Sequence, residues 1–198
     1  MSQPPQQNKT TTTRTAKLTA RQFALFVAIL ALVVVTGASL YVFLFRSENL
    51  AFRTIAQSPL HWGNLGLPEY TANEPALFVI AKPEEVNDLA TKLLTHEPQT
   101  VEQLRIMNYD HEFAVLALHG AVGSDGYGVT VQQIQRRDSL ITIQASFASP
   151  VPGTVNAMIV TSPYHLIAVS KVGTWGAQFR LVLTNGSKPV AETTHFIP

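Results

Sequence analysis

Residues 127–147 read YGVTVQQIQRRDSLITIQASF, and this stretch decides the fold. Tyr127, Val129 and Val131 alternate with small or polar residues. Ile141, Ile143, Ala145 and Phe147 alternate with Thr142, Gln144 and Ser146. A period of two predicts strands with one buried and one wet face. Arg137-Asp138-Ser139 predicts a tight connection between them.

Working outward, Phe113 to Leu118 is an apolar run closed by Gly120, and Pro150-Val151-Pro152-Gly153 breaks the chain after Phe147. Tyr164 to Val169 predicts a strand after Pro163. Phe179, Leu181 and Leu183 alternate up to the turn signal Asn185-Gly186, and Val190 to Phe196 returns as a last strand. Upstream, Ala76 to Ala81 predicts a buried strand. Pro83, Glu84 and Glu85 suit the first turn of a helix whose apolar residues Val86, Leu89, Ala90, Leu93 and Leu94 share one face. A shorter helical turn is expected over 101–107. The expected class is α+β: a β-dominated antiparallel sheet with one or two helices.

A single transmembrane α-helix is expected ahead of that domain. Phe23 to Phe45 reads FALFVAILALVVVTGASLYVFLF, 23 residues without a charge. As a helix it spans about 35 Å at about 1.5 Å per residue, enough for a hydrocarbon core of roughly 30 Å. Lys9, Arg14, Lys17 and Arg21 precede it with no acidic residue, while ten Lys or Arg and thirteen Asp or Glu follow it. Lys17 and Arg21, nearest the lipid, orient the N-terminus to the cytoplasm. A cleaved signal peptide is the rival reading, with Thr36-Gly37-Ala38 as a poor cut site. The apolar run resumes at Leu40, too long for an ordinary signal. Ala24, Ala28, Ala31, Val35 and Ala38 share one helix face. They are either a packing face for another helix or the ordinary alanine content of a membrane span. The expected organisation is a disordered cytoplasmic tail (1–20), a membrane helix (21–46), an extended connector (47–75) and an extracytoplasmic domain (76–198). Trp62, Leu65, Leu67 and Tyr70 suggest that the connector lies on the domain. The absence of Cys removes lipoprotein anchoring and disulfides.

Catalytic signatures are missing. Six His are present, none at metal-ligand spacing, so no metal or cofactor is expected. Gly123-Ser124-Asp125-Gly126 has turn chemistry rather than a nucleophile elbow. Gly120 to Gly128 holds four Gly but is followed by a strand pattern, not the helix start that a phosphate loop needs. The slightly acidic C-terminal part and its scattered Lys and Arg exclude a nucleic-acid surface, with Arg136-Arg137 read as a solvated edge. Asn185-Gly186-Ser187 matches a glycosylation sequon but coincides with the hairpin turn.

The run Gly126-Tyr127-Gly128-Val129-Thr130-Val131, then Leu140 to Ile143, then Ser149-Pro150-Val151-Pro152-Gly153, then Thr161-Ser162-Pro163-Tyr164-His165 onward to Val169 resembles the C-terminal domain family of the bacterial protease complex subunit PrcB. The resemblance covers 120–171. Phe52-Arg53-Thr54-Ile55 and the strand-helix unit over 77–94 fit longer members more loosely. Asp125 stands where the family pattern has the first Gly of G-G-Y. The resemblance implies a small exported or membrane-anchored accessory protein and carries over no catalytic residue. Gly126, Tyr127, Pro163 and Tyr164 would be fold-makers first and partner contacts second.

The functional expectation is a single-pass, non-enzymatic accessory protein of the cell membrane, touching lipid through its helix and a partner protein through its outer domain. The alternative is a small integral subunit of a larger membrane complex, assembled mainly through the helix. A surface hydrolase or ligand-binding module is the third reading.

Overall fold

The structure, a computed structural model, describes residues 25, 27–36, 47–61, 74–92, 94 and 97–198, with 58–61 described by backbone alone. The chain forms two compact units, Met1–Arg46 and Ser47–Pro198. In the first, residues 27–36 are helical and exposed, and Thr36 Oγ1 donates to the Leu32 carbonyl at 2.6 Å. Ala28, Ala31 and Val35 lie on this helix. Ala24, Ala38, Lys17, Arg21 and the 1–20 tail lie outside the described residues. Among the described residues, no helix is long and apolar enough to cross a membrane.

The second unit is β-dominated. Its strands are β1 (Glu48–Asn49), β2 (Phe52–His61), β3 (Ala76–Ile80), β4 (Glu112–Leu118), β5 (Gly128–Arg137), β6 (Leu140–Ala148), β7 (Thr161–Ser170), β8 (Ala177–Asn185) and β9 (Lys188–Ile197). A 3-10 turn, Pro83–Glu85, leads into helix α1 (Val86–Lys92), and α2 spans Pro98–Arg105. One sheet has the order β1-β5-β6-β8-β9 and the other β2-β7-β4-β3.

Burial explains this layering. Phe113, Val115 and Ala117 of β4 join Ile141, Ile143 and Ala145 of β6 and Leu181 and Leu183 of β8 in a core between the sheets. Ala114, Leu116 and Leu118 point the other way, onto Val86 and Leu89 of α1 and Val101 and Leu104 of α2. β4 and β7 are therefore covered on both faces, which is why they read as unbroken apolar runs, while β5 and β6 alternate. The order is sheet, sheet, helices.

Three expectations are corrected. The five-stranded sheet is not wholly antiparallel, because β6 and β8 run parallel. The apolar run in β7 belongs in the middle of the other sheet, between β2 and β4. The chain must leave after β6 and come back in the same direction. The connector expected over 47–75 begins instead as structure. β1 pairs with β5, and β2 pairs with β7 from Phe52 to His61. Residues 62–73, with Trp62, Leu65, Leu67 and Tyr70, lie outside the described residues. The strand expected from Tyr164 starts earlier, at Thr161, so Pro163 sits inside it, opposite Pro59. His119 N–H donates to the Pro163 carbonyl at 2.8 Å, one step past the last β4–β7 pair, Leu118–Tyr164. A residue's nitrogen and carbonyl leave a strand on the same edge, so neither proline is asked for a ladder donor by the other.

Candidate interaction site

Where β1 ends, the open edge of β5 makes a seam between the sheets. The β5–β6 register slips between Val131 and Gln133, and one extra residue reverses which strand edge each later group faces. Val131 N–H, ahead of the slip, faces away from β6 as the Val129 carbonyl does, and donates to Nδ1 of His165 at 2.9 Å. With Nδ1 accepting, the ring is the neutral tautomer that donates from Nε2 to Thr54 Oγ1, 2.8 Å away. His165 is 2% exposed, and burial lowers its pKa. Gln57 Nε2 donates to the Val129 carbonyl at 2.9 Å and to Thr130 Oγ1 at 2.8 Å. Side chains from β2 and β7 thus satisfy the β5 edge where β1 ends.

At the same end of β5, two loops are tied together. Val122 and Thr161 exchange both backbone bonds, at 2.8 and 2.9 Å. Thr161 Oγ1 donates to the Ser124 carbonyl at 3.1 Å. Asp125 Oδ1 accepts from Ala157 N–H at 3.0 Å, so the residue that departs from G-G-Y fastens the second loop. Gly126 is required by close approach: a Cβ there would lie 2.7 Å from Asn156 Oδ1 and 2.9 Å from Pro150 Cβ. Within the second loop, Thr154 Oγ1 donates to the Val151 carbonyl at 2.7 Å.

With its backbone held, loop 149–160 turns its side chains outward. Val155 and Met158 are fully exposed, and Val151, Ile159 and Val160 are exposed as well. The loop carries no charge. Beside it His119 meets Tyr127 edge-on at 5.4 Å and Phe147 at 5.3 Å between ring centroids. His119 Nδ1 is buried without a hydrogen bond, and burial lowers its pKa.

Gly126 and Tyr127 therefore lie at this site. Pro163 and Tyr164 do not come to its surface. Tyr164 is 1% exposed under the helices, its Oη beside Glu97 and Thr100 without a well-formed hydrogen bond. Burial first, then the charge of Glu97, pushes its pKa up to about 12. The sequence reading missed His165, Gln57 and the display of loop 149–160. The absence of charge over 139–170, apart from His165, was a usable signal.

Residues 114–170 match the family described as PrcB C-terminal. This segment belongs to that family, as the resemblance implied. It runs from β4 through both loops to the end of β7, so the PrcB C-terminal region contains the bulge, His165 and the exposed apolar loop. No curated protein and no solved structure matches the chain. Among the described residues, no group of three or more His, Asp or Glu is placed to hold a metal ion.

Proposed function

We propose that the protein is a PrcB-like accessory factor, held in the cell membrane by Phe23–Phe45 with its N-terminus cytoplasmic, and that its outer domain binds a partner protein through loop 149–160. The reading assigns no catalytic residue. The apolar loop carries it: five large apolar side chains on a fastened backbone are an exposed patch of the kind that marks an interface. Within the outer domain, the loop projects from the end of β5 where Gly128 pairs with Ala148, about 27 Å at ~3.4 Å per residue from the Glu48–Arg136 pair at the other end of the strand.

The double variant Val155→Asp/Met158→Asp tests this. Both side chains are exposed, so stability should hold within about 0.5 kcal/mol. Native complexes isolated from membranes in gentle detergent should lose the partner that accompanies the unaltered protein. Unchanged co-purification would overturn the loop's role. A second reading rests on exposed Ala28, Ala31 and Val35, which would place assembly in the helix. Exchanging residues 23–45 for an unrelated apolar helix should then abolish assembly, and on the first reading should leave it intact.

A further inference from the structure

The outer face of the five-stranded sheet is a separate surface. Alternation along β6 sends Ile141, Ile143 and Ala145 into the core and leaves Thr142 and Gln144 outside. Register aligns Gln135 with Thr142, and Gln133 with Gln144 and then Thr184. With Ser187 of the β8–β9 turn these residues line an open depression of about 430 Å³ on the sheet face. Its lining carries no charged and no aromatic side chain.

The floor is organised in advance. Asn49 Oδ1 accepts from Gln133 Nε2 at 3.0 Å and from Gln135 Nε2 at 3.3 Å. One residue of the short strand β1 thus fixes two glutamine amides on β5. Fixing them before a ligand arrives removes part of the ordering cost of binding.

We infer that this depression binds a neutral polyhydroxylated chain, a glycan segment without ionised groups. Sugar hydroxyls both donate and accept, as do the amides and hydroxyls of the lining taken together. An ion would meet no opposite charge. An acyl chain or apolar peptide would strip water from the amides and return no hydrogen bond. Without a ring to stack on, binding depends on hydrogen bonds exchanged with water, so the dissociation constant should be on the order of 1 mM.

The test titrates the full chain, in a detergent without a sugar headgroup, with maltohexaose, cellohexaose and N-acetylchitohexaose. A galacturonate hexamer serves as the acidic control, and binding is followed by NMR shifts. At least one neutral hexamer should bind with the shifts confined to β5, β6 and β8. Gln144→Ala and Gln135→Ala should weaken it by about tenfold, and Asn49→Ala by a smaller factor, with melting temperatures unchanged. The Asn49 variant is decisive, since it touches the amides and not the ligand. The inference is overturned if no neutral hexamer binds at ~10 mM, if the variants bind as the unaltered protein does, or if the acidic hexamer binds more tightly. The site lies apart from loop 149–160, so Val155→Asp/Met158→Asp should bind the hexamers normally.

Discussion

Replacing His165 by Gln tests the seam between the sheets. A glutamine amide nitrogen can reach the place of Nε2 and keep the contact to Thr54, but it has nothing at the position of Nδ1. Val131 N–H, bonded to that atom at 2.9 Å, would lose its acceptor. His165 is 2% exposed, so water has little access to replace it. A buried donor left unpaired costs about 1–3 kcal/mol. For a domain of this size each kcal/mol moves the melting temperature by about 2–4 °C. His165→Gln should therefore melt about 2–12 °C lower. Thr54→Ser keeps a hydroxyl that can still accept from Nε2, and Thr54 is exposed. Its cost should stay within about 0.5 kcal/mol, as for other exposed positions. His165→Asn offers an oxygen near the Nδ1 position and should fall between the two. Denaturant unfolding of the three variants checks the order. If His165→Gln were no more destabilising than Thr54→Ser, the claim that His165 satisfies the β5 edge would fail.

The same geometry fixes a pH dependence. Burial lowers the pKa of both His165 and His119, so the folded state resists protonation that the unfolded chain accepts. Stability should be complete at neutral pH and decline as pH falls through the unfolded histidine value of about 6.5. His165→Asn should flatten the decline, measured by unfolding at several pH values. At the other extreme, Tyr109 and Tyr164 are pushed up to about 12 by burial. Stability should therefore fall once pH rises past their unfolded value of about 10. Gly120→Ala should be among the most damaging single changes. Gly120 has φ +93°, and a Cβ would lie 2.7 Å from the Glu74 carbonyl oxygen. The dihedral alone costs about 1–3 kcal/mol, whereas Gly123→Ala, with nothing within 4 Å, should be mild by the same unfolding assay. Arg53→Ala should cost under ~1 kcal/mol despite the 2.8 Å bond to Glu112, because the arginine is 56% exposed.

What was legible in the sequence was whatever one strand or helix decides locally. Ile141, Ile143 and Ala145 revealed a two-faced strand, and Val86 and Leu89 a buried helix face, because burial repeats with the period of the element that causes it. The parallel partnership of β6 and β8 left no such trace, since Ile143 against Leu183 looks the same from either direction along the chain. β2 was hidden by Pro59, which argues against a strand until the ladder shows that its missing donor is not needed there. His165 is the instructive case. In isolation it is one polar residue in the run Tyr164 to Val169. Once that run is known to be covered on both faces, a polar ring inside it must find partners. The edge of β5, open where β1 ends, supplies one, and Thr54 of β2 supplies the other. A polar residue in a doubly buried strand therefore implies an unpaired strand edge within its reach, and the search for such an edge is the step that would have turned a lone histidine into a structural expectation.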